Sequence, residues 1–377
     1  MDFGLSEEQE LLQRSAREFL ERECPTSFVR EVMSDAEGFP RQLYRKMAEL
    51  GWPGLIIPES FGGLGLSMLD LALLQEEMGR ALAPGPFFSS SVLATVALLH
   101  GGTSAQRREW LPRLAAGKAV ATLAFTEASD RLDADGIDMR ARSTRGGYRL
   151  SGTKMFVTDA QVADVIVVAC RTKAKGSDGV TLFLLPRDTP GVTIRPLQTV
   201  DLTRRSAEME LREVELPASA VLGAAGKGWR TLARVVDAAC VALAADSLGG
   251  AQRALEMAVD YAKVREQFGR PIGSFQAVKH MAAEMVSDVE PARSLVWYAA
   301  YAFDVLPREA SRAAAMAKSR LSDVYTRTTS RAVQIHGGIG FTWEHDMHLW
   351  FKRAKWNEYA FGDATYHRER LAQLAKF

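Results

Sequence analysis

Cysteine is scarce. Only Cys24, Cys170 and Cys240 occur in 377 residues, and no two of them have C-x-x-C spacing. So few thiols exclude a disulfide framework and suit a reducing compartment, so a cytoplasmic protein is expected. Histidine is scarce too: the six residues are scattered, none at metal-ligand spacing from a thiol or carboxylate, and no metal site is expected. His336 and His345 are read as helix-end or packing residues. A surplus of one charge is the third absence, with 47 Lys+Arg against 46 Asp+Glu. A net charge of +1 provides no field for nucleic acid or an anionic membrane. Long apolar runs are also missing, and none approaches the roughly 18 residues of a membrane span. The opening MDFGLSEEQE is acidic and lacks the charged-then-apolar pattern of a signal peptide.

What remains is an ordinary globular composition, 47% hydrophobic and 25% charged, in a chain long enough for two or three packed units. The hydrophobic period changes twice along it. Ser6 and Gln9 form a capping-box signal before an amphipathic helix. Helical patterns follow at Arg41–Leu50, Met68–Gly79, Ser89–His100 and Ala105–Gly117, with turn-rich LIIPESFGGLGLS between the first two. Short β-rich runs then take over at Ala119–Phe125, Tyr148–Leu150, Val162–Cys170, Val180–Leu185, Val192–Pro196 and Glu208–Leu216. Val165–Val168 and Leu182–Leu184 are apolar on successive residues, as in strands covered on both faces. From Lys227 the chain reads as long helices: Arg230–Gly249 with Gly250–Phe268, Phe275–Val305, Arg308–Ile335 and His345–Phe361, then a short helix at Ala364–Ala375. The expected organisation is α+β: a helical domain over 1–118, a β-domain over 119–226 and a four-helix bundle over 227–377.

One stretch stands out within the bundle. Leu248, Ala251, Leu255, Ala258, Val259 and Ala262 make a helical apolar stripe. Gly269 and Pro271 stop the helix, and Ser274 is the expected N-cap of the next. Arg265, Gln267, Phe268, Arg270 and Gln276 therefore share the tip of a helical hairpin. A fork of donors beside an aromatic face and an amide suits a phosphate next to a flat heterocycle, although a solvated basic loop would have the same composition.

The run R-E-Q-F-G-R-P-I-G-S-F-Q resembles the acyl-CoA dehydrogenase segment that reaches the FAD held by a neighbouring subunit. Other matches occur in the family's order: P-E-x-F-G-G-L-G-L-S in the N-terminal domain, Ala124-Phe-Thr-Glu127, Lys154-Met-Phe-Val-Thr158, and Val333-Gln-Ile-His-Gly-Gly-Ile-Gly340. The resemblance implies the acyl-CoA dehydrogenase fold and FAD as cofactor. It puts Thr126 at the flavin's pyrimidine side, Phe156 against its ring and Thr158 beside N5, with Phe125 and Val157 also among the cofactor-binding residues. It puts Arg265, Gln267, Phe268, Ile272, Phe275 and Gln276 on the FAD of a neighbouring subunit, together with Gln334, Ile335, Gly337 and Gly338. The implied partners are an acyl-CoA, an electron-transfer flavoprotein, and like or unlike copies in a dimer or tetramer with FAD sites at subunit interfaces.

Three departures qualify these implications. Arg131 and Leu132 stand where the family's phosphate-binding turn has Gly and Ser. Ala239 and Cys240 stand where relatives carry a Glu and an Arg on the first bundle helix. Phe361 stands where the common catalytic Glu would be, in Ala360-Phe-Gly-Asp-Ala-Thr-Tyr-His-Arg368. Asp363 is the nearest carboxylate and the candidate base, while an N-cap for the last helix is an equal reading of it. The departures also fit a degenerate companion subunit of a heteromeric enzyme, or a flavoprotein of this fold acting on a non-CoA substrate.

Overall fold

The computed structural model describes residues 4–173 and 175–375; Met1–Phe3, part of the acidic opening read above, lie outside the described residues. In chain order the α-helices are α1 (Glu7–Glu23), α2 (Thr26–Ser34), α3 (Arg41–Glu49), α4 (Met68–Arg80), α5 (Thr95–Gly101), α6 (Ser104–Ala115), α7 (Gly228–Val264), α8 (Gln276–Val305), α9 (Ala310–His336), α10 (Met347–Tyr359) and α11 (Ala364–Ala375). The strands are β1 (Ala121–Ala124), β2 (Arg140–Ser143), β3 (Gly147–Thr158), β4 (Val165–Arg171), β5 (Val180–Pro186), β6 (Val192–Pro196), β7 (Ser206–Pro217), β8 (Glu266–Gln267) and β9 (Arg270–Pro271). Two compact units result: Met1–Glu31 with Ser67–Ala83 and Cys240–Phe377, and Val32–Leu66 with Pro84–Ala239.

The first unit is built of helices, apart from the two-residue strands β8 and β9. The expected capping box holds, with Ser6 Oγ accepting from Gln9 N and Gln9 answering to the Ser6 N–H. Ser67 and Asp70 repeat the device at the start of α4. Helices α4 and α7 pass backbone against backbone. A Cβ on Gly249 would lie 1.7 Å from the Glu76 carbonyl oxygen, and one on Gly79 would lie 2.0 Å from that of Asp246. This contact explains a correction to the sequence reading. Gly249 and Gly250 do not separate two helices; α7 runs unbroken from Gly228 to Val264, because the glycines are there to admit a neighbour. The apolar stripe is buried at Leu248, Ala251, Leu255, Ala258 and Ala262. At the centre of this unit Arg353 and Asp246, both fully buried, form an ion pair of 3.2 Å. Gln75 and Asn357 also donate to the Asp246 carboxylate, which supplies the partners a buried charge requires.

The second unit carries a seven-stranded sheet in the order β1-β4-β2-β3-β7-β6, with β5 paired to β4. All seven residues of β4 are buried, as the unbroken apolar run requires. Sequence reading missed β2 and residues 151–153 of β3, where polar residues and a glycine obscure the alternation. It also read a helix from Ser89, where the chain forms an eight-residue π-helix, Phe87–Ala94, with every residue buried.

Candidate active site

In the second unit the candidate flavin-facing residues gather where β1 and β3 end. The Met155 N–H donates to the Thr126 carbonyl at 2.9 Å, joining the Thr126–Glu127 turn to β3. The turn is fixed from below by Lys154, fully buried, whose Nζ donates to Phe125 O at 3.1 Å and Glu127 Oε1 at 2.6 Å. Burial holds the Lys154 ammonium below its ordinary range, and the Glu127 charge opposes that. Beyond Lys154 the pairing of β3 with β7 loses register between Lys154↔Met209 and Val157↔Ala207. In that irregularity Phe156 takes φ 53° and remains 58% exposed. A bulky residue in the left-handed region, turned out of its own sheet, is no core residue. Thr158 is 5% exposed, and its carbonyl accepts from the Thr122 hydroxyl at 2.6 Å. Phe125 and Val157 are core side chains, so only their backbones are available to a ligand. Arg131 is committed to Asp133 on the surface at 2.6 Å.

In the first unit the hairpin tip is a small ribbon rather than a plain loop. β8 pairs with β9, and Phe268 and Gly269 turn between them at φ 55° and 76°. Positive φ at both positions is the geometry of a two-residue hairpin, and Phe268 holds it while 92% exposed. Arg270 lies 4.3 Å over the Phe275 ring, and Phe268 meets that ring edge-on at 6.0 Å. The Arg265 side chain has no hydrogen-bond partner among the described residues, and its backbone accepts from Ile272 N at 2.8 Å. Gln267 folds back onto Glu266 O, and Gln276 is exposed. Ser274 is not the N-cap expected of it. A 3-10 turn at Ile272–Ser274 moves the cap to Phe275, and the Ser274 hydroxyl has no partner among the described residues. At the end of α9 Gln334 is exposed and Ile335 is buried, while a Cβ on Gly337 or Gly338 would meet nothing within 4 Å. No packing among the described residues demands glycine at those two positions. His336 stacks on Tyr261 of α7 at 4.5 Å, so it is the packing residue expected; no group of metal-binding side chains occurs among the described residues.

The turn between α10 and α11 is pinned from beneath. Lys318 Nζ donates to Ser322 Oγ at 3.0 Å, Glu358 O at 3.0 Å and Gly362 O at 2.7 Å. Burial lowers the Lys318 pKa to about 8. Phe361 takes φ 59° above it. Asp363 Oδ1 accepts from Tyr366 N at 2.7 Å, so one oxygen caps α11; Oδ2 has no hydrogen-bond partner among the described residues. Glu358 accepts from Lys355 at 2.8 Å.

Residues 6–118, 122–214 and 226–375 match the N-terminal, middle and C-terminal domains of acyl-CoA dehydrogenase. The probable acyl-CoA dehydrogenase YngJ of Bacillus subtilis is 34% identical over 98% of each chain. The chain belongs to the acyl-CoA dehydrogenase family. Among solved structures, a chain in the electron transferring flavoprotein structure of Acidaminococcus fermentans is 32% identical, with TM-score 0.92 over 99% of both chains. One in the ChsE4-ChsE5 complex from Mycobacterium tuberculosis is 29% identical, with TM-score 0.88 over all of both chains.

Acyl-CoA dehydrogenases are FAD-dependent oxidoreductases, and this member has residues that fit the cofactor. A strained, outward Phe156 offers a stacking face, Arg265 an uncommitted guanidinium, and Gly337–Gly338 an open backbone. Sequence reading missed Lys154, Lys318 and His367, the last wholly buried. A lysine within the otherwise apolar face Ala314, Ala317, Leu321 was the available signal for Lys318.

Proposed function

We propose that this chain is a flavin-dependent acyl-CoA dehydrogenase that desaturates an acyl-CoA thioester to the 2-enoyl-CoA and passes the electrons to an electron-transfer flavoprotein. The outward Phe156 in the broken register of β3 carries this reading, because it makes a ring platform with Thr158 two residues on. FAD, when bound, accepts the hydride from the β-carbon. Thr158 would present a donor where the arriving charge accumulates, and the hairpin of a neighbouring copy would hold the phosphates through Arg265. Asp363 is the carboxylate assigned to the α-proton: Oδ1 caps the helix and Oδ2 is left for the transfer. The likeness to the chain in the Acidaminococcus structure supports an electron-transferring partner. Three buried free cysteines, and no helix long and apolar enough to cross a membrane among the described residues, accord with a cytoplasmic site of action.

A second reading has its own support. Phe361 in place of a glutamate, a turn fixed by Lys318, and the likeness to a chain of a two-component complex favour a companion subunit whose unlike partner supplies the base. The visible spectrum and acyl-CoA turnover of the chain alone, and co-expressed with a neighbouring homologue, decide between them. Flavin bands and turnover in the chain alone establish the first reading; both only after co-expression establish the second. Flavin without turnover of any CoA thioester in either form would overturn both, in favour of a non-CoA substrate.

A further inference from the structure

The residue after Thr158 is a buried aspartate in an unusual place. Asp159 is 3% exposed and takes φ 55°, with its N–H donating to Arg205 O at 3.0 Å. Its carboxylate accepts from Ser89 Oγ at 2.6 Å. Ser89 belongs to the π-helical stretch Phe87–Ala94, a geometry that recurs at functional sites. The neighbouring Ser90 Oγ accepts from Ala121 N at 3.2 Å, so the same stretch also fixes the start of β1. With the Thr122 hydroxyl on the Thr158 carbonyl, the Thr158–Asp159 peptide is held from β1, from the Arg205 loop and from the π-helix.

Backbone geometry alone does not call for a carboxylate here. Asparagine and glycine adopt positive φ at least as readily, and asparagine would accept the Ser89 hydroxyl without burying a charge. Tyr44 senses that charge: burial pushes its phenol up to about 12, with Asp159 acting in the same direction. A fixed negative charge one residue from the group facing flavin N5 opposes the charge that arrives on reduction.

Resting on the flavin site proposed above, we infer that Asp159 is a positioning residue that orients Thr158 and holds down the reduction potential of the bound flavin. Removing one negative charge makes the surroundings more positive whichever cation balances it, so the sign of the effect is fixed. The test is a redox titration of the flavin-loaded protein, or of its co-expressed complex, comparing wild type with Asp159→Asn. At a fixed ambient potential the variant should hold roughly tenfold more reduced flavin, an upward shift of about 30 mV for a two-electron couple. Asp159→Gly, which suits positive φ and also lacks the charge, should shift the same way and serves if the asparagine variant folds poorly. An unchanged potential in either folded, flavin-bound variant would overturn the inference and leave Asp159 a structural turn residue. Phe156→Leu separates the two levels: if it leaves the flavin spectrum unchanged, the site reading itself fails, whatever Asp159 does.

Discussion

His367 Nε2 donates to the carbonyl oxygen of Phe361 across 2.9 Å, tying α11 to the turn that precedes it. The carbonyl can only accept, so Nε2 carries a proton. Cys240 Sγ lies 3.7 Å from the same nitrogen. Cys240 and His367 thus meet in the buried interior of the first unit.

Burial holds the His367 pKa down to about 3, and the Lys318 charge adds to the effect. A depressed pKa means that, as pH falls, the unfolded chain takes up the proton first. The stability His367 contributes is fully present above about 6.5 and is lost as pH falls towards about 3. One proton corresponds to a slope of up to about 1.4 kcal/mol per pH unit. Glu76, whose carboxyl burial raises to about 7, works in the opposite sense, so the difference between wild type and His367→Gln is the quantity to measure. Calorimetry between these limits should show a shallower acid loss in the variant. Parallel curves would remove His367 as the cause.

Phe156 should be dispensable for folding and necessary for the flavin's environment. It is 58% exposed at positive φ, so Phe156→Gly removes little buried area and relieves backbone strain, by about 1 kcal/mol. The apo-protein Tm should stay level or rise, while the flavin absorption bands shift and the cofactor dissociates faster. A large fall in Tm with unaltered bands would return Phe156 to the core.

The sequence showed local things well and distant ones poorly. Thr126, Phe156, Phe268 and Gly337 stood out as candidates because each lies in a short run whose pattern depends on its immediate neighbours. The reading of α7 as two helices failed because Gly249 answers to Glu76 of α4, far away in the chain. The role of Lys318 was missed for the same reason, since its acceptors Glu358 and Gly362 lie on a turn 40 and 44 residues onward. Strand β3 was under-read at residues 151–153, where polar residues and a glycine obscure the alternation. The Ser274 cap failed on a shift of one residue, caused by a 3-10 turn that composition does not reveal.

Arg265 has no side-chain partner among the described residues and is exposed, so truncating it should leave the subunit's own stability within about 0.5 kcal/mol. Loss of a charge-assisted bond to phosphate should nonetheless weaken flavin retention by about 1.5–3 kcal/mol. Equilibrium dialysis of Arg265→Ala against wild type measures this directly. Equal retention in both would mean that the hairpin tip binds something other than the cofactor.

The assignment of Asp363 admits a clean test, because one oxygen caps α11 and the other has no hydrogen-bond partner among the described residues. Asparagine keeps an Oδ1 for the Tyr366 N–H and is as good an N-cap as aspartate, so Asp363→Asn should leave Tm unchanged. What it loses is basicity at Oδ2. Lys318 pins the adjoining Gly362 carbonyl at 2.7 Å, so the carboxylate is presented from a fixed turn. A positioned general base is worth about a hundredfold or more in rate. Acyl-CoA turnover by the flavin-loaded variant should therefore fall by about two orders of magnitude or more, with the flavin spectrum as in wild type. If turnover persists in full, Asp363 is a cap only, and the proton must leave through a carboxylate of the unlike partner chain; the companion-subunit reading would then stand in place of the first.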